Sequence, residues 1–322
     1  MKQITFIIST FLVFGCTSNS KWEIIDANGT CTARHECGFV AHENALYLIG
    51  GRGRKPVDKF DLTKTTWSAY KKTPIEMNHI TPVSINGSIY VVSGLTGSYP
   101  KETPLSHVYK FDPEEDVWEA VFEIPEDRRR GGAGVTIYGG KIYIVNGITD
   151  GHTSGTCSLF DVYNPTTNEW DILPNTPTKR DHSSAVVLDN LLIAIGGRNT
   201  SYHELDNFEA FFKTVINKVD YFNFDTEKWE SFETTLPNAA AGGGAVVLNE
   251  ELYFLGGETE QKKASNKMFS FNLKNKTWIP KPSLNEGRHG TNAVVLKNNI
   301  YIASGSANRG GGPELTSIEV YN

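Results

Sequence analysis

A short apolar run that ends in glycine recurs six times along the chain, and it constrains the fold more than any other feature of the sequence. In the clearest copy, residues 46–49 (LYLI) precede Gly50 and Gly51, and Trp67 follows a polar loop and a second apolar stretch. Each run is rich in β-branched and aromatic residues and is flanked by turn residues, which is typical of strand–turn–strand units. The sequence therefore predicts an all-β chain made of six copies of one unit.

The spacing of the tryptophans identifies the kind of unit. Successive tryptophans lie 45, 51, 52, 59 and 49 residues apart, at Trp22, Trp67, Trp118, Trp170, Trp229 and Trp278. This period is that of a four-stranded propeller blade and is too long for a leucine-rich or ankyrin repeat. The pattern resembles the kelch repeat, and the resemblance covers nearly all of the chain after residue 20. It implies a single six-bladed kelch β-propeller over residues 21–322.

The two ends of the repeat array are incomplete in complementary ways. Trp22 has no apolar–glycine run before it, and the last repeat reaches Asn322 without a tryptophan of its own. We therefore expect the segment from Lys21 to Ile25 to pair with residues 317–321 as the outer strand of the last blade. Such closure leaves no open seam in the ring and anchors both ends of the propeller.

The first residues are typical of an export signal. Lys2 precedes an apolar stretch from Ile4 to Phe14, which is too short to span a bilayer, and Gly15 and Cys16 follow it. This arrangement resembles a bacterial lipoprotein signal, which implies a signal peptide over residues 1–15, a lipid on Cys16 and an anchor segment over residues 16–20. The expected location is the outer membrane or periplasm, and ordinary secretion is the alternative.

Composition excludes several partners. The net charge of −6 and the pI near 5.8 provide no bulk attraction for nucleic acid or anionic lipid. Cys31, Cys37 and Cys157 do not match zinc-ligand spacing, so buried thiols, or at most one disulfide, are expected. No phosphate-cradling loop or dinucleotide fingerprint is present. We expect a monomer without a cofactor or a metal site.

The candidate site lies where two sets of loops meet. Loops that follow the glycines, and loops that enter the next blade, should surround one mouth of the central channel, where propellers commonly bind ligands. Counting back from the glycines places histidines at one shared position, namely His35, His79, His182 and His289. Other candidate residues in the two sets of loops are Arg34, Arg52, Tyr99, Arg130, His152, Arg180, Arg198, Arg288 and Arg309.

The arginines suggest an acidic ligand. So many guanidinium groups at one mouth would repel one another unless an anion or local carboxylates compensated them, and the planar fork of arginine suits a carboxylate or sulfate. We therefore predict an acidic carbohydrate, either a uronate, a sialate or a sulfated glycan. The predicted binding residues are Arg34, His35, Arg52, Arg130, Arg180, Arg198, Arg288, His289 and Arg309. A structural role is the alternative for each, because kelch repeats favour arginine and small or histidine residues here, where they bond neighbouring backbones.

Two classes of function remain open. The first is an enzyme whose proton-transfer group lies among His79, Tyr99, His152 and His182, which come from three adjacent blades. Such groups suit elimination or dehydration next to a carboxylate, and the architecture resembles that of the sialic-acid mutarotases, which implies mutarotation or epimerisation instead. The second class is a non-catalytic propeller that binds a glycan or a protein, since the fold by itself proves no activity.

Overall fold

The computed structural model describes residues 20–202, 204 and 206–322. The predicted signal peptide (1–15), the lipidation site Cys16 and all but the last residue of the anchor segment (16–20) lie outside the described residues and stay predictions. No helix in the described part of the chain has the length and the apolar composition that crossing a membrane requires.

Four-stranded antiparallel sheets follow the repeats of the sequence one by one. The first strand is β1 (Trp22–Ile24), and blade 1 follows with β2 (Cys37–His42), β3 (Ala45–Gly50), β4 (Pro56–Asp61) and β5 (Thr66–Lys72). Blade 2 and its small ribbon are β6 (Val83–Ile85), β7 (Ser88–Val91), ribbon strands β8 (Leu95–Thr96) and β9 (Thr103–Pro104), β10 (His107–Asp112) and β11 (Val117–Glu123). A 3-10 turn (Glu126–Arg128) leads to blade 3, with β12 (Gly134–Tyr138), β13 (Lys141–Asp150), β14 (Ser154–Asn164) and β15 (Glu169–Leu173).

The second half repeats the same order. Blade 4 contains β16 (Asp181–Leu188), β17 (Leu191–Arg198), a 3-10 helix (Phe208–Lys213), β18 (Asp220–Asn223) and β19 (Lys228–Ser231). Blade 5 contains β20 (Gly244–Leu248), β21 (Glu251–Leu255), β22 (Met268–Asn272) and β23 (Thr277–Lys281). Blade 6 contains β24 (Ala293–Leu296), β25 (Asn299–Ala303) and β26 (Ile318–Tyr321), with β1 as its fourth strand. The predicted six-bladed propeller is confirmed.

Ring closure also follows the prediction. β1 pairs antiparallel with β26, with Trp22 opposite Tyr321, and their rings lie 5.5 Å apart. The Trp22 carbonyl accepts a 3.2 Å hydrogen bond from Asn285, and the indole packs in a core cluster with side chains of blades 5 and 6. One strand from the beginning of the chain therefore completes the sheet formed by its end.

The hydrophobic core lies between neighbouring blades rather than at one centre. Each apolar cluster in the described part combines residues of two adjacent sheets, as where Phe39 of blade 1 packs in one cluster with Tyr301 of blade 6. The repeated tryptophan stacks on an aromatic residue of the third strand in its own blade, as Trp118 does on Phe111, with 4.9 Å between the rings. The repeated tryptophan therefore packs within its own blade as well as toward the neighbouring one.

An inner ring of backbone contacts joins the blades around the channel. It consists of one residue from each entering loop, namely Glu36, His79, Gly132, His182, Gly242 and Gly290, and all six have left-handed backbone with φ between 52° and 67°. The amide of His79 donates to the carbonyl of Glu36 over 2.9 Å, and the amide of Gly132 donates to that of His79 over 2.9 Å. This register differs from the predicted one, because Glu36 and Gly290 take the place that we assigned to His35 and His289.

Deleting residues 20–27 should lower the melting temperature by many degrees. The deletion removes β1, exposes the edge of β26 and loses a buried tryptophan, whose side chain alone is worth about 3–5 kcal/mol of the free energy of unfolding. Thermal denaturation followed by circular dichroism measures the change. Lys21→Ala, which removes only an exposed ion pair with Glu23, is the matched control. An unchanged melting temperature in the deletion variant would contradict the closure.

Candidate functional site

Four of the predicted binding arginines do not reach the channel mouth. Arg34, Arg130, Arg180 and Arg288 are each at most 2% exposed. The guanidinium of Arg180 shows the pattern: Nη1 donates to the carbonyls of Gly196 and Lys218 over 3.0 Å each, and Nη2 donates to Asp220 over 2.5 Å. Its donors therefore tie the second and third strands of blade 4 to the loop that enters it.

The same arrangement recurs in three other blades. A carboxylate on the third strand receives the guanidinium in each, through the pairs Arg34–Asp58, Arg130–Asp161 and Arg288–Glu319. Burial lowers the pKa of Arg130, Arg180 and Arg288, and the paired carboxylates oppose that fall. The prediction that Arg34, Arg130, Arg180 and Arg288 bind substrate is contradicted by this placement, because their donors are used within the blades.

The mouth itself holds a cavity of about 520 Å³, here called the crown cavity. It is lined by His35, Glu36, Arg52, Tyr99, His152, Arg198, Glu209, Phe211, Phe212, Glu258, Arg309, Gly310 and Gly311. Six of these residues were predicted from the sequence, namely His35, Arg52, Tyr99, His152, Arg198 and Arg309. The volume lies in the range of small-molecule sites.

Carboxylates compensate the arginines of the crown cavity. Arg52 lies 2.8 Å from Glu102, and Arg198 pairs closely with Glu258. The guanidinium of Arg309 lies 3.7 Å from the carboxylate of Glu209 and also donates to the carbonyl of Glu260 over 2.7 Å. The repulsion among these guanidinium groups is therefore relieved by the protein's own carboxylates and does not require an anionic ligand. An acidic ligand depends instead on N–H donors of the arginines that remain without a protein acceptor.

Three histidines meet at the floor of the crown cavity and are called the histidine triad: His79, His152 and His182. Their ring centroids lie 4.8 Å apart for His79 and His182, 4.9 Å for His79 and His152, and 5.2 Å for His152 and His182. All three are 5–6% exposed. Only His152 lines the crown cavity, since His79 and His182 line the narrower channel below it.

Each triad histidine has an oxygen acceptor at Nδ1. The acceptors are Asn78 Oδ1 for His79 at 2.6 Å, Glu102 Oε2 for His152 at 3.2 Å and Asp181 Oδ1 for His182 at 2.6 Å. An acceptor at Nδ1 places the proton there and leaves the lone pair of a neutral ring on Nε2. The three imidazoles are thus held in one tautomer.

Electrostatics keeps two of these rings neutral. Burial lowers the pKa of His79 far below its usual range, and the positive charges of neighbouring groups lower it further. Burial also lowers the pKa of His152, against the opposing effect of Glu102. The pKa of Glu102 falls to about 2 despite its burial, because His152 and Arg52 favour its charged form. His152 and Glu102 therefore form a neutral base oriented by a carboxylate.

Tyr99 covers the triad from the solvent side. Its ring lies 5.0 Å from that of His152, and the guanidinium of Arg52 lies 5.8 Å from its centre. Burial raises the pKa of Tyr99, so the hydroxyl stays protonated at neutral pH and can donate a proton. Tyr99 is nevertheless 49% exposed, which leaves it accessible to a bound ligand.

The other two predicted histidines have different surroundings. His35 lines the crown cavity, with Nδ1 2.8 Å from Glu314. His289 is buried beside it, and its Nε2 lies 2.8 Å from the carbonyl of Asn308 and 3.4 Å from Glu258. His289 therefore supports the loops of the mouth instead of facing the crown cavity, which contradicts its predicted contact with substrate.

Sequence reasoning misses Glu36 and Glu102. Glu36 directly follows a predicted histidine, and a register shifted by one residue would have placed it on the inner ring. Glu102 comes from the ribbon of blade 2, whose loop has no counterpart in the other repeats, so no periodic signal marks it. The free state of Cys31, Cys37 and Cys157 agrees with the expectation of unpaired thiols.

A family model covers almost the whole chain. The kelch-repeat domain described for KLHDC2, KLHL20 and DRC7 matches residues 4–197 and 182–322. The chain belongs to the kelch-repeat family. Kelch-like protein terF of Aspergillus terreus is 28% identical over 336 residues, which include 94% of this chain and 71% of the fungal protein.

Other relatives share only part of their length with this chain. Kelch-like protein 40 of Xenopus laevis is 30% identical over 206 residues, covering 62% of this chain and 32% of the frog protein. Alpha-scruin of Limulus polyphemus is 25% identical over 69% of this chain and 24% of its own length. The solved structure of YjhT superimposes with a TM-score of 0.75 at 17% identity, covering 92% of this kelch chain and 99% of YjhT, which shows a shared fold.

Asp220→Ala should destabilise this kelch propeller by about 3–5 kcal/mol, because it leaves the buried guanidinium of Arg180 without its counter-ion. Urea denaturation measures the free energy of unfolding. Asp171→Ala, at an exposed strand position, is the control and should change it by no more than about 0.5 kcal/mol. A stability of Asp220→Ala equal to that of the control would contradict the structural role of the pair.

Proposed function

We propose that this kelch propeller binds an acidic carbohydrate in the crown cavity and transfers a proton on it. The observation that carries the proposal is the pairing of His152, a neutral imidazole oriented by Glu102, with the protonated hydroxyl of Tyr99. A base and an acid thus lie side by side on the wall of a cavity large enough for a sugar ring.

Arg52 and Arg309 support an acidic group on the sugar. Their side chains are 25% and 36% exposed, whereas that of Arg198 is only 2% exposed. A guanidinium carries five N–H donors, and the Arg52 pair with Glu102 engages Nη1. Arg52 therefore retains donors for a carboxylate, and its position beside Tyr99 would hold that carboxylate near the acid–base pair.

Proton transfer follows from this geometry. Arg52 neutralises the sugar carboxylate, which lowers the cost of a carbanion-like state at the adjacent carbon. Nε2 of His152 accepts the proton from that carbon, and Glu102 stabilises the imidazolium that forms. Tyr99 donates its proton to the departing oxygen in an elimination or dehydration. The same pair would serve epimerisation, in which a proton leaves a carbon and returns to its opposite face, or mutarotation, in which the anomeric hydroxyl loses a proton and the ring oxygen gains one.

A binding protein without catalysis is the second candidate. Two large aromatic side chains stand exposed at the crown cavity, Tyr99 (49% exposed) and Phe208 (39% exposed), whose rings lie 6.3 Å apart. Aromatic residues of this kind are frequent anchors at protein interfaces. A protein partner seated on this rim would use these rings and would leave the triad below uninvolved.

Export and a lipid on Cys16 are part of the proposal. The basic residue, the apolar stretch and the glycine–cysteine pair of residues 2–16 support them. In that location the protein would meet extracellular or periplasmic glycans.

Arg52→Ala should weaken binding of a uronate or sialate by about 10- to 100-fold, because it removes a charge-assisted hydrogen-bond donor from the crown cavity. Isothermal titration calorimetry with charged sugars and their neutral counterparts measures the effect. Arg54→Ala is the matched control, since Arg54 is exposed outside the crown cavity. Equal affinity of the wild-type protein for neutral and charged sugars would remove the acidic-ligand proposal.

His152→Ala and Tyr99→Phe should lower kcat by about 10²- to 10⁴-fold on a sugar that reacts, because each removes a group that moves a proton. Arg52→Ala should raise KM as well as lower kcat, because Arg52 both binds the carboxylate and neutralises it as the carbanion-like state forms. Mass spectrometry and proton NMR on acidic oligosaccharides detect loss of water, a new double bond or faster anomer exchange. If uronates and sialates bind but none of these changes occurs, the enzyme proposal fails and the binding protein remains.

A further inference from the structure

The histidine triad brings three strong metal ligands to one point. One ligand atom from each of His79, His152 and His182 lies within 4.8 Å of the other two. His79 and His152 lie in loops of blades 2 and 3, and His182 lies at the start of β16 in blade 4, so their approach is a product of the fold. Neutral imidazole is a common ligand for divalent zinc, copper, iron and nickel.

The surroundings of the triad match those of histidines that hold metals. Such histidines usually donate Nδ1–H or Nε2–H to a carboxylate or carbonyl, which orients the ring and raises its basicity. Glu102 and Asp181 have this role for two triad members. For His79 the acceptor is the amide oxygen of Asn78, whose orientation is set because its Nδ2 donates to Glu76 over 2.9 Å.

One contact in the triad is unfavourable without a cation. Nε2 of His79 is buried without a hydrogen-bond partner and lies 3.3 Å from Oε2 of Glu36. With the proton on Nδ1, a lone pair therefore faces a carboxylate oxygen. A bound cation would accept the lone pair of His79 Nε2 as a ligand and would place a positive charge next to the Glu36 carboxylate. The carboxylates of Glu102 and Asp181 add negative charge around the site, where Arg52 and Arg198 are the nearby guanidinium groups.

The backbone at two triad positions is left-handed, as the inner ring requires, but both positions carry histidine instead of glycine. His79 and His182 lie on the inner ring with φ of 53° and 52°, and Gly132 and Gly242 adopt this conformation on the same ring with φ of 60° and 61°. Glycine adopts it at the least cost. Non-glycine residues held in left-handed backbone cost about 1–3 kcal/mol and cluster at functional sites.

We propose that the histidine triad binds one divalent transition-metal ion through Nε2 of His79, His152 and His182. Three protein ligands are the set used by catalytic metal sites, in which a fourth position is left for water or a ligand. Metal–nitrogen bonds of about 2.0–2.1 Å place the nitrogens roughly 3.3 Å apart, so each ring moves inward by about 1 Å or less.

Arg198 is the group that the ion would replace. Its Nη2 lies 3.3 Å from Nε2 of His182, its other polar contacts are to Glu258 and Thr200, and the guanidinium also lies over the ring of Phe211. The ion would replace only the hydrogen bond between Arg198 and Nε2 of His182, and the other contacts would keep the guanidinium in place. The ion would also take the lone pair of His152 that proton transfer needs, so the proposed sugar chemistry belongs to the metal-free protein and metal binding is tested without any sugar.

The test is titration of chelator-treated protein with Zn²⁺ and with Co²⁺, followed by calorimetry and, for Co²⁺, by visible absorption. One ion per chain is expected. His79→Gly and His182→Gly should each weaken binding by at least about 100-fold while the protein stays folded, because glycine is the residue that the inner ring otherwise uses. Glu102→Gln should weaken binding by about 10- to 100-fold through His152. His107→Ala, on the outer part of blade 2, is the control and should bind like wild type.

A measurement on the wild-type protein avoids any effect of substitution. Electron paramagnetic resonance of protein loaded with one equivalent of Cu²⁺ should show splitting from imidazole nitrogens, and that signal should be lost in the double variant His79→Gly, His182→Gly. Absence of stoichiometric binding by the wild type would overturn the proposal. Undiminished binding by the folded double variant would overturn it equally.

Discussion

The inner ring of backbone hydrogen bonds is the constraint on which the rest of the molecule depends. The amides of His79, Gly132 and Gly242 donate to inner-ring carbonyls 2.8–2.9 Å away, and the amide of Cys37 closes the circle on Gly290 at 3.0 Å. These bonds require left-handed backbone at one residue of each blade. Any side chain at such a position is carried to the channel axis, so the ring that assembles the blades also assembles the candidate site.

Much of the fold could be predicted because a propeller repeats its own constraints. The spacing of apolar runs and tryptophans indicated four-stranded blades, and the unmatched Trp22 indicated the pairing with Tyr321 that closes the ring. The same repetition misled the interpretation of the arginines. Arg180 and its counterparts recur because every such blade needs a buried donor for its carbonyls and for a carboxylate such as Asp220. A residue that returns at one position in several repeats is therefore better explained by the repeat than by a ligand.

Two of the six predicted residues that line the crown cavity, Tyr99 and His152, break the repeat. Tyr99 lies in the ribbon loop of blade 2 and His152 in a loop of blade 3, and both loops differ in length from those of the other blades. Glu102, in the same ribbon loop as Tyr99, contacts His152. Their mutual geometry could not be predicted, because contacts between loops of different blades depend on side-chain packing. Charge counting failed for a related reason, since Arg198 has its counter-ion in Glu258, sixty residues further along the chain.

The loops around the crown cavity differ from blade to blade, so the cavity is asymmetric although the six blades repeat one fold. The 3-10 helix of blade 4 places Phe211 against the guanidinium of Arg198, 4.6 Å from the ring centre, and Phe212 against that of Arg309 at 4.9 Å. These rings and Tyr99 line the crown cavity next to His152, whose ring lies 6.3 Å from that of Phe211 and 5.0 Å from that of Tyr99. Apolar rings and polar groups thus line the same space, so a molecule that enters the crown cavity meets phenylalanine rings beside arginines and His152. The loops of blades 2, 3 and 4 therefore give the crown cavity its asymmetry, while blades 1, 5 and 6 contribute Arg52, Glu258 and Arg309 to its lining.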